Sequence, residues 1–241
     1  MLVKSRIKYI QSLGQKKFRD ETGCFIAEGP KIVQELLEAG LVKEVYALNE
    51  WITENNQLLA GTDTFEVTEA DLEKISQLKT ANKVLAVLNQ FEVTQPVVEK
   101  RLLLALCGIQ DPGNLGTIIR IADWFGVDQV VCSEDTADVY NPKVVQATMG
   151  SIARVKVFYK NLEDWLGQLQ ATTIYATVLE GADIRTIEKP ASGVILVGNE
   201  SQGISPSLQA FAQVRITIPR KGGAESLNAG VATGIILSHL T

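Results

Sequence analysis

The stretch VILVGNESQGIS, Val194 to Ser205, runs four apolar residues into a turn that holds two glycines and one carboxylate, and Pro206 follows it. An unbroken apolar run of this length reads as a strand buried on both faces, as in a parallel sheet covered by helices. Glycines at the carboxyl end of such a strand let backbone approach a ligand closely. Pro206 suits the first turn of a helix and Ser205 its cap. Glu200 is then either an acid held beside a ligand-binding loop or an exposed acid in an ordinary strand-to-helix turn.

The same design occurs twice more. The apolar run Leu102 to Cys107 leads through Gln110-Asp-Pro-Gly to NLGTIIR, Asn114 to Arg120. Pro112 and Gly113 make the turn, and Asn114 is expected to cap a helix from Leu115 to Phe125. Leu115, Ile118, Ile119, Ala122 and Phe125 share one face of that helix, which makes them core. Arg120 points away from it, near Thr117 and Asp123, and on these residues alone it reads first as a surface arginine paired with a nearby acid. The run Val214 to Ile218 leads into IPRKGGAESLNAG, Ile218 to Gly230. Here Ser226 reads as the N-cap of a terminal helix over Leu227 to Leu240.

Strand-like runs at Gln129–Cys132, Val155–Phe158 and Thr173–Val178 and a helix over Pro142–Gly150 complete the C-terminal part. Periodicity there predicts an open, doubly wound parallel sheet, hence an α/β class. The first part alternates in the same way. Strands are expected at Cys24–Ala27, Val45–Leu48, Phe65–Val67 and Val84–Leu88. Helices are expected from Pro30 to about Gly40, from Glu50 to Leu59, and from the Thr68 cap to Leu78. That is enough for a small αβα sandwich. Asn89 to Lys100 reads as a linker, so the chain divides into residues 1–95 and 96–241.

With 46% hydrophobic and 21% charged residues, the 241-residue chain has the composition of a folded globular protein, which excludes disorder. No window approaches the ~18 consecutive apolar residues a spanning helix needs. The first residues lack the layout of a signal peptide, which sets a cytoplasmic expectation. Cys24, Cys107 and Cys132 lie far apart in apolar runs and read as buried thiols. One histidine, His239, excludes a His-rich metal centre and nearly excludes a Ser-His-Asp triad. Neither a Gly-x-Gly-x-x-Gly after a strand nor a P-loop is present. The net charge of −5 argues mildly against nucleic acid, but residues 1–19 hold Lys4, Arg6, Lys8, Lys16, Lys17 and Arg19 and no acid. That arm can follow a phosphate backbone or form a solvated helix face.

Taken together and in this order, the three segments resemble the motifs of the SpoU/TrmH family of RNA ribose 2′-O-methyltransferases, within the SPOUT superfamily. The resemblance covers roughly residues 100–241, and FIAEGPKIVQELLEAG, Phe25 to Gly40, resembles the N-terminal substrate-binding domain of many members. It implies a C-terminal SPOUT α/β fold with a deep trefoil knot, an exception to unthreaded connections. It also implies S-adenosylmethionine as cofactor, no metal, a homodimer, and RNA as substrate, with rRNA ahead of tRNA. By that resemblance Arg120, Asn114, Glu200, Ser226 and Asn228 are catalytic. Thr177, Val197, Gly198, Asn199, Gly203, Ile218, Leu227 and Asn228 hold the cofactor, and Arg120 with the basic arm meets RNA. A guanidinium is a poor base, so Arg120 is better suited to stabilising a developing alkoxide than to deprotonating the hydroxyl. Two positions depart from the pattern. Arg220 stands where the family often has methionine, and Ala229-Gly230 where it often has Val-Ser. The rival readings are a non-catalytic RNA-binding or ribosome-assembly protein of the same fold and a base methyltransferase of the superfamily.

Overall fold

A computed structural model describes residues 2–241. The first part runs α1 (Lys4–Ser12), α2 (Lys16–Thr22), β1 (Cys24–Glu28), α3 (Pro30–Glu38), β2 (Val42–Ala47), α4 (Asn49–Glu54), β3 (Asp63–Glu66), α5 (Glu69–Ile75) and β4 (Val84–Asn89). Then come β5 (Leu102–Cys107), α6 (Pro112–Trp124), β6 (Gln129–Cys132), α7 (Pro142–Thr148), β7 (Lys156–Tyr159) and α8 (Leu162–Gly167). The chain ends with β8 (Ile174–Asp183), β9 (Gly193–Gly198), α9 (Pro206–Gln209), β10 (Val214–Thr217) and α10 (Ala229–Leu240). Two compact units result. One comprises residues up to Glu92 together with Asp138–Ala153, and the other Val93–Ala137 together with Arg154–Thr241.

The first unit is an αβα sandwich around a four-stranded sheet of order β1-β4-β2-β3. Only β2 and β3 pair in parallel. Alternation along the strands sorts the core into two layers. Cys24, Ile26, Tyr46, Leu85 and Val87 face Ile10, Leu13, Leu72 and Ile75, from α1, the turn after it, and α5. Phe25, Ala27, Val45, Val84 and Ala86 are buried on the other face, where α3 packs with Ile32, Val33, Leu36 and Leu37. Residues 138–153 close this unit. The Tyr140 ring lies 4.7 Å from that of Phe25, its hydroxyl accepts from Phe91 N–H at 2.8 Å, and Val144 and Val145 are buried.

The second unit is a six-stranded, wholly parallel sheet of order β10-β8-β9-β5-β6-β7. β5 and β9 lie at its centre and are buried almost throughout, because their near-continuous apolar runs have helices on both sides. From β10 at the sheet edge the chain returns to lay α10 against α6 and β9. The turns after β5, β9 and β10 therefore gather at the carboxyl edge of one sheet.

Several ends differ from the sequence expectation. α4 stops at Glu54 and α5 at Ile75, short of Leu59 and Leu78. β8 continues to Asp183, past Val178. α6 starts at Pro112, and its cap is Asp111, whose carboxylate accepts from Asn114 N–H at 2.8 Å. α10 starts at Ala229, and its cap is Asn228, not Ser226. In both helices the nearer competent side chain took the cap and freed the expected capping residue.

Candidate functional site

A cavity of about 640 Å³ opens among the turns after β8, β9 and β10. Thr177, Val197, Gly198, Asn199, Gly203, Ile218 and Leu227 line it, as do Glu200 and Ser226. Asn114, Arg120 and Asn228 lie outside its lining. Val197 and the backbone of Gly198 reach it because β9 ends there.

The turn after β9 is built by its own side chain. Asn199 donates to Gly108 carbonyl at 2.8 Å and accepts from Ser201 N–H at 2.8 Å and Gln202 N–H at 3.3 Å. Asn199 thus locks the loop onto the end of β5 and closes an Asx-type turn. Gly203 has φ of 67°, and a Cβ on Gly198 would fall 2.3 Å from the Gly203 carbonyl carbon. No side chain fits at Gly198, so the loop folds back on β9 only with glycine there.

At the mouth of this loop the three motifs join. The Glu200 carboxylate accepts from Asn114 Nδ2 and from Ala229 N–H at 3.3 Å. Asn114 Oδ1 in turn accepts from Asn228 Nδ2 at 2.7 Å. Asn228 Oδ1 accepts from Gly230 N–H at 3.0 Å and Val231 N–H at 3.2 Å, which is the α10 cap. Because Asp111 caps α6, the Asn114 side chain is free to serve as the central link of this chain. Ser226 is exposed and lines the cavity without capping anything.

Arg120 is exposed on α6. Asp123, the acid beside it, is taken up by Arg154, whose Nη2 stands 2.8 Å from Asp123 Oδ2. No hydrogen bond or ion pair among the described residues engages Arg120, so its five donors face solvent. The expected surface pairing with Asp123 does not form.

Four residues of the basic arm, Lys4, Lys8, Lys16 and Lys17, are exposed. Lys16 pairs with Asp20 at 2.8 Å and Lys17 with Glu21 at 3.9 Å along α2. Arg6 reaches Glu44 at 3.1 Å. Arg19 is 2% exposed, donates to Leu13 carbonyl at 2.9 Å and pairs with Asp138 at 2.5 Å. Buried, with all three of its nitrogens engaged, it cannot meet a phosphate, and its assignment to RNA is corrected to a structural one. A period-3.6 count could not show this, because its partner lies 119 positions away.

All three cysteines are buried. Burial, followed by the nearby Asp135 charge, pushes the Cys107 thiol up to about 12, and burial likewise raises Cys132. Neither is a thiolate nucleophile at neutral pH. Among the described residues no cluster of His, Cys, Asp and Glu could hold a metal ion, and no helix is long and apolar enough to cross a membrane.

Two parts of the wall escaped the sequence reading. Between Arg215↔Ala176 and Ile216↔Ala182 the pairing of β10 with β8 shifts, so residues 177–181 bulge out and bring Val178 and Leu179 to the cavity. Thr217 Oγ1 fastens this bulge to Leu179 carbonyl at 3.0 Å. Gly181 was its one sequence signal, since glycine inside a strand often marks a bulge. Ile236 lines the cavity from α10, and Arg220 donates to Ala224 carbonyl at 3.1 Å across the loop after β10.

The SpoU rRNA methylase family matches residues 101–238, and the MRM3-like substrate binding domain matches residues 4–86. The chain is 33% identical over 239 residues to a 23S rRNA (guanosine(2553)-2′-O)-methyltransferase, RlmP, of Bacillus subtilis, covering 98% of this chain and 95% of that one. An AdoMet-bound rRNA methyltransferase from Sinorhizobium meliloti superposes with a TM-score of 0.88 at 33% identity, over 100% of this chain and 95% of that one. The SpoU methyltransferase AviRb from Streptomyces viridochromogenes, with AdoMet, shares the fold at a TM-score of 0.86 and 24% identity, over 99% of this chain and 97% of that one.

Proposed function

The chain belongs to the SpoU rRNA methylase family, and from that premise we propose that it transfers methyl from S-adenosylmethionine to one ribose 2′-hydroxyl of structured ribosomal RNA. It is an RNA methyltransferase with the SPOUT α/β fold and its deep trefoil knot, preceded by an αβα sandwich. The observation that carries the site reading is the chain Glu200–Asn114–Asn228, one residue from each motif, at the edge of the cavity.

The cavity suits the cofactor. Its volume of about 640 Å³ falls within the range of small-molecule sites. Val197, Ile218, Leu227 and Ile236 offer apolar surface for an adenine, while Thr177, Ser226 and Glu200 offer polar groups for the ribose and the amino-acid end. S-Adenosylmethionine, when bound, supplies an electrophilic methyl group on a cationic sulfur. The protein's task is then alignment, exclusion of water and handling of one proton. Glu200 holds Asn114 and the start of α10, so the first turns of α6 and α10 keep a fixed spacing. Arg120, unpaired on α6, is the group we assign to the RNA, where its fork orients a phosphate and stabilises the alkoxide as the 2′-hydroxyl passes its proton to water.

We further infer that the first unit binds RNA, in line with its match to a substrate-binding domain. Within its basic arm, Lys4, Lys8, Lys16 and Lys17 are exposed cations. Ribosomal RNA stands ahead of transfer RNA because a relative matched over 95% of its length is named for 23S rRNA. The site of action we propose is the cytoplasm. A homodimer is proposed through the α6–α10 face, where Trp124, the last residue of α6, is 84% and Val231, near the start of α10, 53% exposed.

Transfer of labelled methyl from S-adenosylmethionine to total RNA of cells lacking the protein, followed by mapping of the label, tests the reading. One 2′-O-methylated rRNA nucleotide is expected. Label on a base, or cofactor binding with no transfer to any RNA or ribosomal particle, would overturn it.

A further inference from the structure

Gly230 is the second residue of α10 and has no positive φ, so backbone conformation does not require glycine there. Glycine within a helix costs stability relative to alanine. Space explains it instead. A Cβ at position 230 would stand 3.1 Å from Thr117 Cγ2 of α6 and 3.2 Å from Asn228 Oδ1. One turn further on, a Cβ at Gly234 would make an ordinary 3.6 Å contact with Ile121 Cδ1. The tight point of the α6–α10 contact is therefore Gly230, and the two atoms it accommodates are a methyl of α6 and the side chain of Asn228.

That second atom gives the glycine a role in the reaction. Asn228 Oδ1 accepts from Gly230 N–H and Val231 N–H, which fixes the plane of the amide. With the plane fixed, Asn228 Nδ2 is aimed at Asn114 Oδ1, 2.7 Å away, and Asn114 Nδ2 at Glu200. We propose that Gly230 is a positioning residue, matched to Thr117, that sets the Asn228 amide against Asn114 and so fixes the geometry of methyl transfer. A Cβ there presses on the Asn228 oxygen and on α6 together, and α10 must move away from the helix that carries Asn114 and Arg120. This inference rests on the reading of Glu200, Asn114 and Asn228 as the catalytic network.

The test uses the full chain with its RNA substrate and compares Gly230→Ala, Thr117→Ser, the double variant and Asn228→Ala. Gly230→Ala is expected to lower kcat roughly tenfold through a displacement of a few tenths of an ångström. KM for S-adenosylmethionine, and its Kd by calorimetry, should stay within about twofold, because the change lies outside the cavity lining. The melting temperature should hold or rise, since alanine is the better helix former. Thr117→Ser removes the Cγ2 methyl, and combined with Gly230→Ala it should restore part of kcat, since the 3.2 Å contact with Asn228 Oδ1 remains. Full kcat in Gly230→Ala overturns the positioning role, as does a loss shared equally between kcat and cofactor affinity that Thr117→Ser does not restore. Full activity in Asn228→Ala is a separate result, and it overturns the underlying reading of the network.

Discussion

Asn228 donates from Nδ2 to Asn114 Oδ1 at 2.7 Å, tying the cap of the last helix to the first turn of the helix that follows β5. Asn114 passes the connection to Glu200, whose carboxylate also receives the backbone N–H of Ala229. Two amides and one carboxylate, remote in sequence, thus fix where α6 and α10 begin relative to the β9 turn.

Asn114→Ala removes the middle of this chain and leaves the Asn228 amide and the Glu200 carboxylate each short of a partner. We expect kcat for methyl transfer to fall ~10²-fold with a much smaller change in cofactor affinity. Steady-state kinetics alongside calorimetric titration of S-adenosylmethionine measures both.

Arg120→Ala should reduce methyl transfer by at least ~10²-fold. The side chain is exposed and unpaired, so folding stability should change by no more than about 0.5 kcal/mol. Cofactor binding that fell as far as activity would remove Arg120 from the reaction centre.

Arg19→Ala leaves Asp138 without its cation in a closed setting. A loss of about 3 kcal/mol is expected, read by urea unfolding. Lys16→Ala breaks an exposed pair and should cost less than about 0.5 kcal/mol. The two variants separate the structural cation of the arm from those free to meet RNA.

Glu28, 5% exposed, is held above the usual carboxylate range by burial, a rise partly offset by hydrogen bonds from Ser76 Oγ at 2.5 Å and Gln77 N–H at 2.7 Å. The folded state therefore binds this proton more tightly than the unfolded chain. Its contribution to stability is full below the ordinary glutamate value and declines as pH rises through the raised folded value. Glu28→Gln abolishes that titration, so its stability relative to the parent should improve as pH climbs from acidic to neutral. Melting curves across that range check the sign, and a difference independent of pH would refute it.

Trp124→Glu places a charge on the exposed last residue of α6. Sedimentation should show the parent as a dimer and the variant shifted toward monomer. A monomeric parent ends the dimer proposal.

The parallel sheet was legible in the sequence because central strands are unbroken apolar runs, and Leu103–Cys107 and Val194–Val197 are both buried where they were expected. The cavity was legible to the extent that its wall follows strand ends, which is why Val197, Gly198, Gly203 and Ile218 all line it. The caps were misread at Asn114 and Ser226 because several competent side chains crowd each helix start, and only the three-dimensional turn chooses among them. Arg19 looked like its neighbours for another reason. Local charge counts cannot see a carboxylate that arrives from a distant segment. The bulge at 177–181 was equally hidden, since it follows from a register shift against β10.

That distant segment also bears on the order in which the protein is made. When residue 92 leaves the ribosome, the sandwich has all four strands but lacks Tyr140, α7 and the carboxylate for Arg19. Some 45 residues of the other unit are translated before Asp138 emerges, a delay of seconds at ordinary elongation rates. Through that interval a cation destined for burial has no counter-charge, so the nascent sandwich is held short of its final stability. The N-terminal unit, though its strands are synthesised first, cannot finish folding before residue 153 has emerged.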